Sequence, residues 1–574
     1  MRSGITFIFI FFLFQSNIMG QITDLYKTNQ SPTYNQIVAY YKQLDQESEF
    51  AKLIECGPTD IGEHLQLFVI DGDKEFDPAL SRNRNKSILL IDNGIHPGEP
   101  DGIDACIKLT TELLHSANLK EQLKNVTICI ILVYNIDGCL NRNSTTRVNQ
   151  NGPEEFGFRG NAQNYDLNRD FIKCDALNSL SFAEIFRHWD PDIFVDTHVS
   201  NGADYQYVMT LIATQHSKLT QPLDEYLQQK LSPVLYEEMN KAGFPMCPYV
   251  NEINKIPDNG ISGFLDLPRY STGYTALFNT IGFMPETHML KDYAQRVEST
   301  CELLKIYIRF VNKHAAEIID VRNKAIEATK NQTVFPINWE LDKTNEGSFL
   351  FKGYEARYKS SEVSGLTRLY YDRNAPFEKN IPYFNDYKVS QQITAPKSYI
   401  VPQAWRKVIE RLKINRVEMN QLAHDTIMEV EVYYLEKFNT TPNAYEGHYY
   451  HSGLELRKEI QKIQLHKGDY LIPMNQSANR YIVETLEPQA PDSFFSWGFF
   501  DAVLMQKEWF SDYVFEDLAA EILKDDPELK KLLEEKQRTD PDFANDADAQ
   551  LQFVFDHSVY HEKSHMRYPV FRLN

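Results

Sequence analysis

Residues 87–92 form a short apolar run that ends just before His96 and Glu99. Asn-Gly and Pro-Gly pairs follow the run closely, which is typical of a buried strand that ends in a turn. The spacing of apolar residues over 101–114 then predicts a helix, so His96 and Glu99 lie in a strand-to-helix loop. This unit predicts an α/β fold, in which functional residues collect at the carboxyl ends of the strands.

Further apolar runs also end in polar residues. They are residues 125–134 before a turn at 135–138, residues 192–197 before His198, and residues 281–285 before Glu286. Parallel strands bring their carboxyl ends to one edge of a sheet. We therefore predict a mixed, mostly parallel sheet flanked by helices, with these polar residues along one edge.

His96, Glu99 and His198 are residue types that bind zinc. Two histidines and one glutamate leave one coordination position free for water, which is typical of catalytic rather than structural zinc. In a chain with 15 histidines, an H-x-x-E tetrapeptide alone also arises by chance. The prediction of a zinc site therefore depends on the other segments that follow this tetrapeptide in order.

The later segments are Asp166-Leu-Asn-Arg169, His198 and Glu286. As an ordered set with His96 and Glu99, they resemble the zinc carboxypeptidases of the carboxypeptidase A type, in particular secreted bacterial members. The resemblance covers about residues 25–320. It implies that one Zn²⁺ ion, held by His96, Glu99 and His198, activates water for attack on an amide bond, with Glu286 as the general base.

The resemblance also implies roles for polar residues between the metal ligands. Asn168 and Arg169 match the pair that grips the free terminal carboxylate of the substrate, a task that suits the guanidinium fork. Asp166 is a candidate for the carboxylate that holds a metal-binding histidine in its tautomer; otherwise it is a turn or cap aspartate. Arg159 is the preferred candidate for stabilising the oxyanion. Arg147 is the alternative, and it is also a candidate for binding the substrate.

Some positions depart from the family pattern. Ile136 stands where the family usually has proline, and Asp170 stands where a second asparagine is common. The mobile tyrosine that covers the substrate in this family cannot be placed. Tyr270 and Tyr274 are near the expected position, but both are equally consistent with packing in a strand.

The first 20 residues have the features of a cleaved secretory signal. Arg2 gives a positive start, residues 5–14 are strongly apolar, and small Gly20 precedes the expected cleavage site. The apolar core is too short to span a membrane, and no other stretch is long enough. We therefore predict a secreted or periplasmic protein.

The seven cysteines show no C-x-x-C spacing, and we predict no particular disulfide.

Length predicts more than one domain after the signal. We expect a catalytic domain over 21–330 and a C-terminal accessory domain over 335–574, because the periodicity changes from helical to strand-like at about 325–340. The C-terminal part is expected to be β-rich or α/β, with no catalytic constellation of its own. Its individual predictions are a strand at 398–402, a helix at 404–412, β-rich runs at 468–473 and 480–487, and acidic helix faces over 516–548.

The net charge of −21 argues against a nucleic-acid partner, which requires a basic surface. The sequence therefore predicts a secreted zinc metallocarboxypeptidase that cleaves the amide bond next to a free carboxylate of a peptide. Three alternatives remain open: hydrolysis of peptidoglycan stem peptides, removal of an acyl group from an N-acyl amino acid, and a binding module with a vestigial zinc site.

Overall fold

A computed structural model describes residues 22–250 and 255–574 of the chain. The predicted signal at 1–20 lies outside the described residues, so the secretory signal stays a prediction. Among the residues that are described, no helix combines the length and apolar character needed to cross a membrane. The seven cysteines, all within the described ranges, form no disulfide bond with one another.

A large mixed sheet organises the N-terminal half. Its strands are β1 Ala51–Pro58, β2 His64–Asp71, β3 Ser87–Asp92, β4 Val126–Ile131, β5 Ile193–Asp196, β6 His198–Ser200, β7 Met209–Ala213, β8 Met246–Pro248 and β10 Ile281–His288. They lie in the order β1-β2-β4-β3-β5-β10-β7-β8, and β6 pairs with β10. The central strands β4, β3, β5 and β10 are parallel, so the predicted mixed, mostly parallel sheet is confirmed.

Helices flank this sheet. They are α1 Tyr34–Glu47, α2 Pro78–Asn83, α3 Asp101–Leu114, α4 Leu119–Gln122, α5 Ile136–Leu140, α6 Leu177–Trp189, α7 Leu223–Tyr226, α8 Ser232–Lys241, α9 Ser271–Ala276 and α10 Tyr293–Asn331. The long helix α10 packs on β3, β4 and β10. Strand β3 is buried along its whole length, which explains why its sequence is a continuous apolar run.

The C-terminal half is rich in strands. These are β11 Val334–Leu341, β12 Gly347–Ser360, β13 Thr367–Phe384, β14 Tyr387–Thr394, β15 Ser398–Val401, β16 Asn420–Gln421, β17 Thr426–Thr440, β18 His451–Leu465, β19 Tyr470–Pro473 and β20 Phe571–Leu573. A six-stranded sheet has the order β16-β19-β15-β20-β17-β18. The short strand β9 Ile261–Ser262, from the N-terminal half, pairs with β13.

The C-terminal helices include one that the sequence analysis assigned wrongly. The helices are α11 Arg406–Ile414, α12 Asn479–Leu486, α13 Asp512–Asp525, α14 Pro527–Thr539, α15 Pro541–Ala544 and α16 Ala547–Asp556. Residues 480–487 were expected to be β-rich, but they form most of α12. Every residue of α12 is buried, and its run Tyr481-Ile482-Val483 consists of aromatic and β-branched residues, which favour strands.

One hydrophobic core runs through both halves of the chain. It includes residues of β3, β4 and α10 together with Tyr399, Tyr481 and Trp497 from the C-terminal half. Tyr481 stacks on Phe278 with ring centroids 5.4 Å apart. The domain boundary at about 330–335 stays a prediction, but the two halves are packed together rather than joined only by a linker.

Candidate metal centre

Two strand ends bring the predicted metal ligands together. His96 and Glu99 lie in the loop after β3, and His198 begins β6 just after β5, the parallel neighbour of β3. One ligand atom from each of the three side chains lies within 4.8 Å of the others. All three residues are buried, with relative exposures of 3 %, 3 % and 4 %.

Close packing of helix α3 fixes this loop. A Cβ atom on Gly102, in the first turn of α3, would lie 1.9 Å from Thr197 Oγ1, so only glycine allows this approach. Asn135 stabilises the opposite side, because its Nδ2 donates to the carbonyl oxygens of Ile95 and Arg159. The predicted turn after β4 therefore ties the loop that carries His96 to the one that carries Arg159.

Each histidine is oriented by a carboxylate on its outer nitrogen. His96 Nε2 lies 2.8 Å from Asp166 Oδ1, and His198 Nε2 lies 2.9 Å from Asp196 Oδ2. The two Nδ1 atoms face Glu99, at 3.3 Å from Oε1 for His96 and 3.1 Å from Oε2 for His198. Outer carboxylates of this kind fix the tautomer and raise the basicity of metal-binding histidines.

The donor set fits a zinc ion. Imidazole nitrogens and a carboxylate are the ligands zinc prefers, and His96 Nδ1 is buried without a hydrogen-bond partner among the described residues. A buried polar atom left in this way costs free energy unless something binds it. A cation between the three ligands would satisfy it.

The electrostatic setting keeps Glu99 ionised. Burial alone would raise the pKa of Glu99, but Arg147, His96 and His198 outweigh it and hold that pKa well below its ordinary value. Arg147 Nη1 lies 2.8 Å from Glu99 Oε1. The same balance, with Asp196 and Glu99 outweighing burial, raises the pKa of His198 well above its ordinary value.

Glu286 lies beside the metal ligands on strand β10. Its backbone is paired with His198 on β6 and with Thr210 on β7. The side chain is only 7 % exposed, and its carboxylate makes no hydrogen bond with any described residue. Burial, with Glu99 and Asp196 adding to it against His198, raises the pKa of Glu286 to about 8. A divalent cation beside it would lower that value.

The segment from Asp166 to Arg169 lies next to His96. Asp166 caps a single 3₁₀ turn, Leu167–Arg169, by accepting a hydrogen bond from the Asn168 backbone N–H. Asn168 Oδ1 is buried without a partner among the described residues, and the Arg169 guanidinium stacks over Tyr270 at 4.5 Å. His96, Arg159 and Arg169 outweigh the effect of burial and hold the pKa of Asp166 well below its ordinary value.

The two candidate arginines, Arg147 and Arg159, differ in how many contacts their guanidinium groups make with other residues. Arg147 contacts Glu99, the side chain of Gln150 and the carbonyl of Val199, and its side chain is 19 % exposed. Arg159 is held by Asp166, with Nη2 2.8 Å from Oδ2, while 45 % of its side chain is exposed. Both approach Glu99, but Arg159 keeps more of its fork free.

Tyr270 and Tyr274 do not lie in a strand, although their sequence was consistent with packing in one. Tyr270 immediately precedes the short helix α9, which contains Tyr274. Tyr274 is fully buried and donates to Asn415 Oδ1, so it packs in the core, while Tyr270 covers Arg169. A third tyrosine, Tyr249, was not considered from the sequence; burial first, then Glu286 and Glu99, raise its pKa far above the ordinary value.

Two carboxylates at the site were also missed. Asp196 lies within the apolar run 192–197, and its position two residues before His198 indicates that both side chains share a strand face. Glu446 accepts a hydrogen bond from the Asp166 backbone N–H at 2.8 Å, although it is 280 residues away in the chain. No local pattern in the sequence indicates that contact.

Comparison with known proteins also indicates a zinc carboxypeptidase. Residues 37–219 match the sequence profile of the zinc carboxypeptidase family, Peptidase_M14. Carboxypeptidase 2 of Trichophyton tonsurans is 22 % identical over 445 residues, which are 72 % of this chain and 74 % of that protein. Carboxypeptidase 2 of Trichophyton rubrum is 21 % identical over 432 residues, covering 71 % and 73 %. These relatives are fungal, so the bacterial type stays a prediction.

Solved structures give weaker matches. A metallo-carboxypeptidase from Burkholderia cenocepacia is 16 % identical with a TM-score of 0.36, over 51 % of this chain and 70 % of that one. Carboxypeptidase A from Helicoverpa armigera is 12 % identical with a TM-score of 0.38, over 53 % and 80 %. From the profile, the relatives and the buried metal-ligand cluster, we conclude that residues 37–219 belong to a zinc carboxypeptidase domain and that the protein is a zinc-dependent metallocarboxypeptidase.

Proposed function

We propose that this metallocarboxypeptidase removes the C-terminal residue from peptides outside the cytoplasm, in a secreted or periplasmic location. His96, Glu99 and His198 would hold one zinc ion. The ion, when bound, supplies a Lewis acid for the scissile carbonyl and lowers the pKa of a water molecule. The observation that carries this proposal is the buried cluster of these three side chains, with both histidines braced by carboxylates.

Glu286 is proposed as the general base. It would take the proton from the attacking water and pass it to the leaving amine, which requires a carboxylate within hydrogen-bond reach of both. Its backbone pairing with His198 and its unengaged carboxylate support this role. A carboxylate already tied to a protein donor would be a weaker base.

Asn168 and Arg169 are proposed to bind the terminal carboxylate of the substrate. Arg169 stays charged and its fork matches a carboxylate, and Asn168 offers its Nδ2 group as a further donor to the same carboxylate. Tyr270 limits the motion of the Arg169 guanidinium by stacking on it. This site would require a free carboxylate at the cleavage end of the substrate.

Arg159 is proposed to stabilise the oxyanion that forms during attack. A fixed positive charge is most effective there when it needs no reorganisation, and the contact with Asp166 fixes Arg159 while leaving part of it exposed. Arg147 is the weaker candidate for substrate contact, because Glu99, Gln150 and Val199 already occupy its nitrogens. Its proposed task is to keep Glu99 in place.

The proposal is tested by incubating the zinc-loaded mature chain with a mixed peptide library and with purified peptidoglycan fragments. Products are identified by mass spectrometry, with Glu286→Gln as the control. We expect single C-terminal residues to be lost from library peptides with the wild type only. Cleavage confined to stem peptides would assign the enzyme to the cell wall, and intact products from both substrates would refute the proposal.

A further inference from the structure

A turn of the C-terminal half reaches the proposed carboxylate-binding segment. Residues 441–450 connect β17 to β18, and Glu446 lies near the tip of this connection. One carboxylate oxygen of Glu446 accepts the hydrogen bond from the Asp166 backbone N–H at 2.8 Å. Its other oxygen has no hydrogen-bond partner among the described residues. Glu446 therefore places a charged side chain of the C-terminal half against the segment that carries Asn168 and Arg169.

The backbone at Glu446 is unusual for a glutamate. Tyr445 and His448 exchange both backbone hydrogen bonds, at 2.8 and 3.1 Å, across a two-residue turn. The central residues Glu446 and Gly447 have φ angles of +48° and +80°. Such turns favour Asn, Asp or Gly at the first central position and Gly at the second. A glutamate in this left-handed region is uncommon, and strain of this kind concentrates at functional sites.

The turn is docked firmly against the catalytic half. A Cβ atom on Gly447 would lie 2.7 Å from the ring of Tyr165, so glycine is needed for this approach as well as for the φ angle. On the other side, His448 Nε2 lies 2.5 Å from Asp175 Oδ2. Lys173, which is fully buried, contacts the same Asp175 carboxylate at 2.9 Å. Glu446 is thus held in register with the segment it contacts.

Asp166 connects Glu446 to several proposed functional groups. Its side chain holds His96 through Oδ1 and Arg159 through Oδ2. Its backbone N–H immediately precedes the 3₁₀ turn that carries Asn168 and Arg169. The side chain of Asp166 therefore has its own partners, and Glu446 fixes the backbone at the start of the turn. Loss of Glu446 would affect Arg169 more than His96.

We propose that Glu446 is a positioning residue, which fixes the Asp166 backbone and so presents Asn168 and Arg169 to the substrate carboxylate. The C-terminal half then completes the substrate site rather than serving only as an accessory. This inference rests on the proposed function of Asn168 and Arg169. It assigns Glu446 no contact with the reacting atoms.

The test uses the full-length chain with Glu446→Asn, Glu446→Gln and the control Glu455→Asn. Asparagine suits the left-handed turn position, so a purely structural role predicts an equal or higher melting temperature and unchanged kinetics. It is too short, however, to reach the Asp166 N–H. Glutamine keeps both the length and an acceptor oxygen. Glu455 lies on β18 of the same hairpin, where it pairs with exposed Lys437.

Two readouts are needed, the steady-state constants for a peptide substrate and calorimetric affinity of the metal-free chain for the same free-acid peptide. For Glu446→Asn we expect KM to rise roughly 10-fold, with the peptide affinity falling by a similar factor and kcat changing less. Glu446→Gln should stay close to the wild type, and Glu455→Asn should equal it. The melting temperature of Glu446→Asn should not fall.

Several results would overturn the inference. One is a wild-type KM and peptide affinity in Glu446→Asn; another is a loss in Glu446→Gln as large as in Glu446→Asn. Failure of the proposed function is distinguishable, because the wild type itself would then cleave no peptide. In that case the calorimetric comparison still decides, since equal affinities or no binding by any variant would reject the role of Glu446.

Discussion

The pairing of His198 with Asp196 makes a specific prediction about zinc affinity. Asp196 is fully buried, and its Oδ2 lies 2.9 Å from His198 Nε2. When His198 binds a metal through Nδ1, Nε2–H donates to this carboxylate and the ring is held in place. We predict that Asp196→Asn and Asp196→Ala weaken zinc binding to different extents.

The expected magnitudes follow from the contact. A hydrogen bond to a buried charged group contributes about 1.5–3 kcal/mol. Asparagine keeps an acceptor oxygen but loses the charge, so about half of that contribution, or roughly a 10-fold loss of zinc affinity, is expected. Alanine removes the whole contact, and the loss should approach about 100-fold.

The assay is competition for zinc between the protein and a chromogenic chelator, after the metal-free variants are shown to melt cooperatively. Asp92→Asn is the matched control, because Asp92 is the residue paired with Asp196 on the neighbouring strand β3 and is also fully buried. It has no hydrogen bond to a histidine among the described residues, so its loss should be smaller than that of Asp196→Asn. Equal losses in both variants, or unchanged affinity in Asp196→Ala, would refute the account of this pairing.

Further predictions concern substrate binding and acid stability. Arg169→Ala should raise KM by roughly 100-fold with a smaller change in kcat. Arg169→Lys should raise KM less than Arg169→Ala, but still above the wild-type value, because lysine keeps the charge and loses the guanidinium fork. Steady-state kinetics with one free-acid peptide measures KM and kcat for both variants. His288 accepts from the Leu290 N–H and faces the Ala203 carbonyl, so its neutral form is satisfied. Burial first, then Lys291, lower its pKa to about 4. In the unfolded chain this histidine has a pKa of about 6.5, so the unfolded state binds a proton at a higher pH than the folded state does. The free energy of unfolding should therefore fall by up to about 3 kcal/mol as the pH is lowered from 6.5 to 4. Denaturant unfolding at both pH values should show a smaller fall in His288→Gln, and an equal fall would contradict the assignment.

The parts of the molecule that the sequence predicted are those governed by local patterns. Strand β3 and helix α3 have the bounds expected, because a buried apolar run and an amphipathic period each depend on neighbouring residues. The proximity of His96 and His198 followed from the rule that parallel strands end at one edge. That rule requires only the order of the strands in a sheet, not their detailed packing.

The features that the sequence did not predict depend on packing between distant segments. Helix α12 resembled a strand because Tyr481, Ile482 and Val483 favour strands locally, whereas the helix is completely buried by packing against other segments. The contact of Glu446 with Asp166 spans 280 residues and arises from the docking of a hairpin turn. Asp196 is a different case, because its spacing from His198 contained the signal, and only the rule that alternate strand residues share a face was needed.

The account rests most directly on the claim that zinc-dependent cleavage requires a free terminal carboxylate. One peptide is therefore prepared as the free acid and as its C-terminal amide, and each is incubated with the zinc-loaded full-length chain and with Glu286→Gln. The account predicts loss of the last residue from the free acid only, by the wild type only, and no loss after the metal is removed. Equal cleavage of the amide, or cleavage by Glu286→Gln at the wild-type rate, would contradict it.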